Sequence, residues 1–519
     1  MSKPSSDYLF QLVKSLSKSE KRSFKLYASR INSREEKKHL LLFDLLDKQK
    51  IYDEVQVLKK EKTLNPAQLS NMKAHLYQQI LQVLKLSNSG QVIDMQIRDM
   101  IDYAQLLFNK CLYKQCVKMI DKAKKIAIQS DRSILLMDLL ELEKNVVSQT
   151  IESNNVNRVN GIVDETEHVA ESIKNINIFS NLSIKLNSYY SNMGFIRNKK
   201  DFDDVQNFFN SSLPAYKEEK LSFHEKLYLY FSYVGYYFFI QDFTSGYRYA
   251  KKWVRLFDEN PEMIVPKLEM YIKGINNMMV AQFKLLNYRE FAETNKKLQA
   301  IPAIPGIKIT DHVRMILFKY SYVNAINLYY MRGDFKGGIS LVSDLEEGLE
   351  KFVSRLNKHS LIIFYYKIAC LYFGNDNYKK ALVWLNKIIN SKDVDLRQDI
   401  HSFSRILNLI CHYELGHAEL VEYQLKSTYR FLLKRGNLGK FQKIILGFMK
   451  KLTHNTANER ALIMAFRNLK RELLPLVDSP YDKKAFIYFD IISWLESKIE
   501  KRPVQEIIRE KVKNITKEK

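Results

Sequence analysis

Apolar and small residues recur at helical spacing on both sides of a short polar stretch between Ser360 and Asn390. Tyr365, Ile368, Ala369 and Tyr372 mark one helix face. Tyr378, Ala381, Leu385 and Ile388 mark another, and Gly374-Asn375-Asp376-Asn377 lies between them. The pattern predicts two antiparallel helices joined by a tight turn, with Ala369 and Ala381 permitting close approach. Such a pair exposes more apolar surface than it can cover by itself, so it has to stack on neighbours.

The layout recurs. An aromatic opens the second helix at Tyr113, Phe202, Phe243, Tyr288, Phe335 and Tyr378. After Phe202 the steps are about 41, 45, 47 and 43 residues, against roughly 34 for the standard tetratricopeptide unit. The gap from Tyr113 to Phe202 is about twice a step and predicts one degenerate pair over 132–173. A small or compact residue follows most of the aromatics, as Cys116, Val205, Gly246, Gly338 and Ala381; Phe291 breaks this pattern. Pro214, Pro261 and Pro302-Ala-Ile-Pro305-Gly306 fall between pairs, where breakers belong.

On these residues the chain resembles the tetratricopeptide-repeat family over about 95–435, most clearly from 220 to 415. The resemblance implies an all-α fold: a right-handed superhelical array of antiparallel helix pairs, an α-solenoid, following an all-helical N-terminal domain. The expected organisation is a basic helical domain over 1–90, repeats over 91–436, helical repeats or a cap over 437–500, and a charged, frayed tail over 501–519. In the first segment, Ser17-Lys-Ser-Glu20 reads as a capping box and Asn65-Pro66 as a helix start. Leu40 to Leu46 and Leu69, Met72, Leu76, Ile80 and Leu84 predict buried faces.

Composition narrows the class. A 519-residue chain that is 46% hydrophobic, with 16 Gly and 10 Pro, is folded, rich in helix and too long for one core. Four cysteines, set inside helical patterns, argue against a disulfide framework and fit a reducing cytoplasm. The start, MSKPSSDYLFQLVKS, lacks the apolar core of a signal peptide, and the apolar run Tyr228–Ile240 is too short to span a bilayer. The expectation is a cytoplasmic protein without a membrane partner. The net charge is +24 and uneven: about +11 over 1–130, about −3 over 131–260 and about +12 over the last 95 residues. Basic ends fit an anionic partner such as nucleic acid, but lysines spread along helices fit simple solvation better.

No catalytic or phosphate-loop signature occurs, and Gly436-Asn-Leu-Gly439-Lys440 has its glycines too close together to form such a loop. Cys411, His412 and His417 lack converging metal-ligand spacing, as do Cys111 and Cys116. Neither an enzyme, a metal nor a cofactor is expected.

The resemblance places the first helix of every pair on a concave side. The implied partner-binding residues are Tyr190, Arg197, Asn276, Asn277, Tyr320, Asn324, Asn327, Tyr330, Tyr366 and Phe373. Asparagine can donate to and accept from an extended peptide backbone, and Tyr and Phe offer flat apolar contact. The competing reading is that these aromatics are core and the asparagines incidental. The expected function is a non-enzymatic scaffold or adaptor that holds a protein or peptide segment. The alternative resembles bacterial peptide-sensing regulators: nucleic acid would bind the basic N-terminal helices, with Gln68, Asn71, Lys73 and His75 on the candidate recognition helix, and the repeats would act as sensor.

Overall fold

The computed structural model describes residues 8–30, 34–60, 66–88, 90, 92–150, 156–193, 196, 199–353, 355–391, 397–436, 438–454, 459–477, 479, 482, 485–486 and 489–518. The chain is all-α, with no strand among the described residues, and neighbouring helices pack on one another. It divides into two compact units, 1–173 and 174–519.

The first unit contains α1 (Tyr8–Ser15), α2 (Lys18–Arg30), α3 (Arg34–Lys48), α4 (Glu54–Lys60), α5 (Pro66–Asn88), α6 (Ile93–Asn109), α7 (Tyr113–Gln129), α8 (Ser133–Gln149) and the start of α9 (Val156–Met193). The capping box forms at α2: Ser17 Oγ accepts from Glu20 N–H at 3.2 Å, and Glu20 Oε2 accepts from Ser17 N–H at 2.7 Å. Asn65 lies outside the described residues. Leu9, Phe24, Leu42, Leu46, Leu76 and Ile80 belong to one apolar cluster, and a second is built from α6 to α9. The divide between these two units falls inside α9. The pair expected over 132–173 corresponds to α8 and the start of α9, but α9 runs on to Met193, a single helix of 38 residues, because no proline interrupts 156–193.

The second unit continues with α10 (Lys199–Ser212), α11 (Phe223–Phe239), α12 (Phe243–Glu259), α13 (Leu268–Lys284), α14 (Tyr288–Ala300), α15 (Asp311–Arg332), α16 (Phe335–Ile339), α17 (Val342–Phe352), α18 (Lys358–Gly374), α19 (Tyr378–Ile389), α20 (Gln398–Glu414), α21 (Ala418–Lys434), α22 (Lys440–His454), α23 (Glu459–Val477), α24 (Ile491–Glu500) and α25 (Val504–Glu518). The expected frayed tail is mostly α25, with Val504 and Ile507 buried: two apolar anchors outweigh the charge around them. The second helix of the Phe335 pair breaks after Ile339 and resumes at Val342, downstream of Gly337-Gly338, two residues that weaken a helix.

The marker aromatics open helices. Tyr113, Phe243, Tyr288, Phe335 and Tyr378 are each the first helical residue; Phe202 is the fourth of α10. Two residues before each first-residue aromatic the backbone turns left-handed, at Cys111, Gln241, Leu286, Gly333 and Asp376, with φ between 54° and 62°. In each turn the next N–H bonds back to the carbonyl five residues earlier, as Asn287 N to Gln282 O at 2.9 Å and Asn377 N to Tyr372 O at 2.9 Å. This Schellman-type closure satisfies helix-end carbonyls. The same turn recurs at Asp131 and Gly416. The compact positions are close approaches. A Cβ on Gly374 would lie 2.5 Å from the Phe335 ring, and one on Gly246 2.6 Å from Phe238.

Candidate functional site

Helices α13, α15, α18 and α20 are the first members of four successive pairs, and each packs against the next of the four. A chain of amide side chains crosses between them. Asn324 Nδ2 donates to Asn276 Oδ1 at 3.0 Å, Asn327 Nδ2 donates to Asn324 Oδ1 at 3.4 Å, and the Lys367 ammonium donates to Asn327 Oδ1. Asn324 and Asn327 are 0% and 3% exposed, so they are structural links, whereas Asn276 and Lys367 remain half-buried. Satisfied amides of this kind fix the spacing of the helices that carry them.

Aromatic rings border the chain. The Tyr330 hydroxyl donates to Lys367 O at 2.5 Å. The Lys367 ammonium stands 5.5 Å from the centroids of both Phe283 and Tyr330, and the Lys284 ammonium stands 5.1 Å from the same Phe283 ring. One phenyl ring thus holds two cations from different helices, a contact worth most when water is partly excluded. On α15 the Lys319 ammonium lies 4.7 Å from the Tyr320 ring.

At the cap of α20, Arg397 binds Asp399 through Nε at 2.9 Å and Nη2 at 2.6 Å. Its Nη1 lies 3.3 Å from His359 Nε2. Arginine can only donate, so His359 accepts at Nε2 and carries its proton on Nδ1. Burial, then the Arg397 charge, lowers His359 to about 4, which keeps it neutral near pH 7.

The lysines carry the electrostatic character of this face. Burial, with the Lys367 and Arg397 charges beside it, brings Lys284 down to about 7, and burial brings Lys367 down to about 8. Lys319 is lowered as well, by burial and then by Lys273. Both Lys284 and Lys367 keep part of their surface in solvent. Glu269 is engaged by Lys273 and His312, and Asp399 by Arg397. Burial raises Tyr330 and Tyr366 and pushes the Cys370 thiol up to about 11, so these groups are neutral at physiological pH. Among the described residues Lys284, Lys319 and Lys367 form no ion pair.

The expected site residues divide accordingly. Asn276, Asn324, Asn327 and Tyr330 come together in the network. Asn277 donates to its own helix, to Lys273 O at 2.9 Å. Tyr320 is half-buried, its hydroxyl pushed up to about 12 by burial. Tyr366 is buried beside Cys370. Phe373 is 1% exposed and packs edge-on to Phe489 at 4.9 Å, so it belongs to the core and not to the partner-binding set. Tyr190 lies on α9, but its side chain is outside the described residues, as is Arg197 altogether.

Lys284, Lys319, Lys367 and Arg397 were not among the expected site residues. A signal was present for the lysines. Lys367 falls between Ile363 and Cys370 at i, i+4, i+7; Lys319 precedes Val323 by four, and Lys284 follows Val280 by four. Each is a charge at helical spacing among otherwise apolar residues.

Of the candidate nucleic-acid readers in the first unit, Lys73 pairs with Glu54 at 2.6 Å, and His75 stacks on His39 at 4.6 Å. Elsewhere, Cys411 is buried, and His412 and His417 face each other through Nδ1 at 3.2 Å. No group of three metal-ligating side chains occurs among the described residues, and no helix among them is long and apolar enough to cross a membrane. No family model matches the chain, and no curated protein matches it.

Proposed function

We propose that this protein is a non-enzymatic scaffold that holds an extended segment of a partner protein along the first helices of its successive pairs. The reading takes the pairs as a right-handed, tetratricopeptide-like superhelical row with α13, α15, α18 and α20 on its inner side. The observation that carries it is the bridge from Asn276 through Asn324 and Asn327 to Lys367. It locks three of these helices side by side while leaving Asn276, Tyr320, Tyr330 and Lys367 within reach of solvent. A pre-set surface loses little entropy when a segment settles on it, and half-buried Tyr and Asn supply apolar area and backbone hydrogen bonds.

The experiment is photocrosslinking in cells of the source organism, with a photoreactive residue at Tyr320 and, as control, at the exposed Tyr423 of α21. Adducts at 320 that map to a few defined protein segments, and are absent from 423, support the reading. Equal, diffuse labelling from both positions, or adducts to nucleic acid only, overturns it.

A further inference from the structure

Lys284 and Lys367 share one phenyl ring and differ in how they are held. Lys284 ends α13, and Lys367 sits in the middle of α18. Their ammonium groups stand 5.1 and 5.5 Å from the centroid of Phe283. Lys367 has an acceptor, Asn327 Oδ1, and a second ring, Tyr330 at 5.5 Å. Asn324 fixes Asn327 in turn, so Lys367 is pinned as a cation. Lys284 makes no hydrogen bond and no ion pair among the described residues. It is half-buried against the ring with no protein group to accept its protons.

Two influences favour charge on Lys284: the negative end of the α13 dipole and the face of Phe283. Partial enclosure and a like charge on the same ring oppose it. An ordinary lysine, near 10.4, is free amine in roughly one molecule in a thousand near pH 7.4. Burial, followed by the Lys367 and Arg397 charges, brings Lys284 to about 7, so its free amine is a major species. Burial lowers Lys367 less far, to about 8. On the helices packed against α13, Arg255 pairs with Glu259, Lys297 with Asp258 and Arg289 with Glu293. Burial keeps Tyr330 and Cys370 protonated. Arg397 is engaged by Asp399 and takes no part in the site. A partly desolvated lysine beside a second cation is a recognised way for an amine to become nucleophilic at neutral pH.

We propose that Lys284 is a carbamylation site: its free amine adds carbon dioxide, and the Lys367 ammonium meets the carbamate that forms. The Nζ lone pair attacks the carbon, an N–C bond forms, one C=O electron pair moves onto oxygen, and Nζ releases one proton to water. The side chain thereby becomes an anion. Two like charges around one ring give way to an ion pair between α13 and α18, where water is partly excluded and the pair gains more than at an open surface. The choice of electrophile follows from the product. An imine or an amide at Nζ would give Lys367 no anion to meet, and carbon dioxide is small enough to reach an amine enclosed on one side by a ring. The inference goes beyond the scaffold reading and stands without a partner protein.

The test is covalent trapping. The full chain is equilibrated with carbon dioxide and bicarbonate near neutral pH, treated with triethyloxonium, which ethylates carbamates, and mapped by peptide mass spectrometry. An ethyl carbamate is expected on Lys284 and not on the exposed Lys379. K284R should remove the adduct. K367M, which takes away the counter-cation, should lower it about fivefold or more, while K367R retains it. Mapping on the parent chain needs no variant to fold. Carbon-13 NMR with labelled bicarbonate gives a second readout, a protein carbamate resonance that K284R lacks. Lys284 unmodified at saturating carbon dioxide, Lys379 labelled to the same extent, or an adduct that K367M leaves unchanged overturns the site.

Discussion

Arg509 Nε donates to the carbonyl of Gly333 at 2.9 Å across 176 residues of chain. Gly333 is the left-handed turn residue before Phe335, and Arg509 lies in α25. The contact means that α25 closes on α15, a helix far earlier in the sequence, so the packing of the second unit is not confined to successive pairs. Nearby, α24 is anchored on α20: Trp494 Nε1 donates to Glu414 Oε1 at 2.6 Å, and Lys498 Nζ to Glu414 Oε2 at 2.5 Å.

Gly333 meets two demands together. Its φ is +61°, and a Cβ there would come within 2.9 Å of the Gln505 carbonyl oxygen. G333A is expected to destabilise the second unit by about 2–3 kcal/mol, from left-handed strain plus displacement of α25. R509A, which loses a charge-assisted bond, should cost about 1–2 kcal/mol. Urea unfolding of both variants checks the order.

Leu286 occupies the equivalent turn position at φ +54° with half of its side chain exposed. Relief of left-handed strain, about 1–2 kcal/mol, exceeds the extra chain entropy of glycine, about 0.4–1 kcal/mol. L286G should therefore raise stability by roughly 0.5–1 kcal/mol, read as a higher urea midpoint.

Gly374 answers a packing demand instead. A Cβ there would lie 2.5 Å from the Phe335 ring, at the meeting of two pairs. G374A should destabilise by about 1–3 kcal/mol, the usual cost of overpacking. F335L in the same background should recover part of the loss, as a thermal melt of the double variant would show.

The enclosed lysines Lys284 and Lys367 make stability depend on pH in a defined direction. Lys284 is about 7 in the folded protein, with Lys367 and Arg397 the charges that bear on it, and near 10.4 unfolded. The unfolded chain therefore binds more protons between these values, so stability rises with pH from about 7 toward 10, and the penalty is fully present below 7. Lys367, at about 8, adds the same sign over a narrower window. K284M should be more stable than the parent at pH 7 by about 1–3 kcal/mol and show a flatter profile from pH 7 to 10. Denaturant melts across that range measure both effects.

Much of the helical layout is legible in the residues. The aromatic openers at 113, 243, 288, 335 and 378 land on the first helical residue because the turn before each is the same Schellman closure. Compact Ala381 and Gly246 mark true close approaches. The turn itself was less legible, since Cys111, Gln241, Leu286 and Asp376 adopt a conformation usually left to glycine. The long α9 and the docking of α25 were missed for different reasons. No breaker marks the former, and the latter depends on a contact between residues 176 apart that periodicity cannot see. At the candidate site the amide network could be read from the first-helix stripes, and the spacing of the lysines was visible too, but not their enclosure. Charge on a helix is ordinarily solvated, and only packing from α13, α15, α18 and α20 turns Lys284 and Lys367 into enclosed cations.

The most direct measurement is hydrogen exchange on the full chain, free and bound to the segment identified by crosslinking at 320. The account predicts slowed exchange concentrated in 268–284, 311–332, 358–374 and 398–414, the four first helices, with the second helices of the same pairs little changed. Protection centred on 8–88, or spread evenly over both helices of each pair, would contradict it.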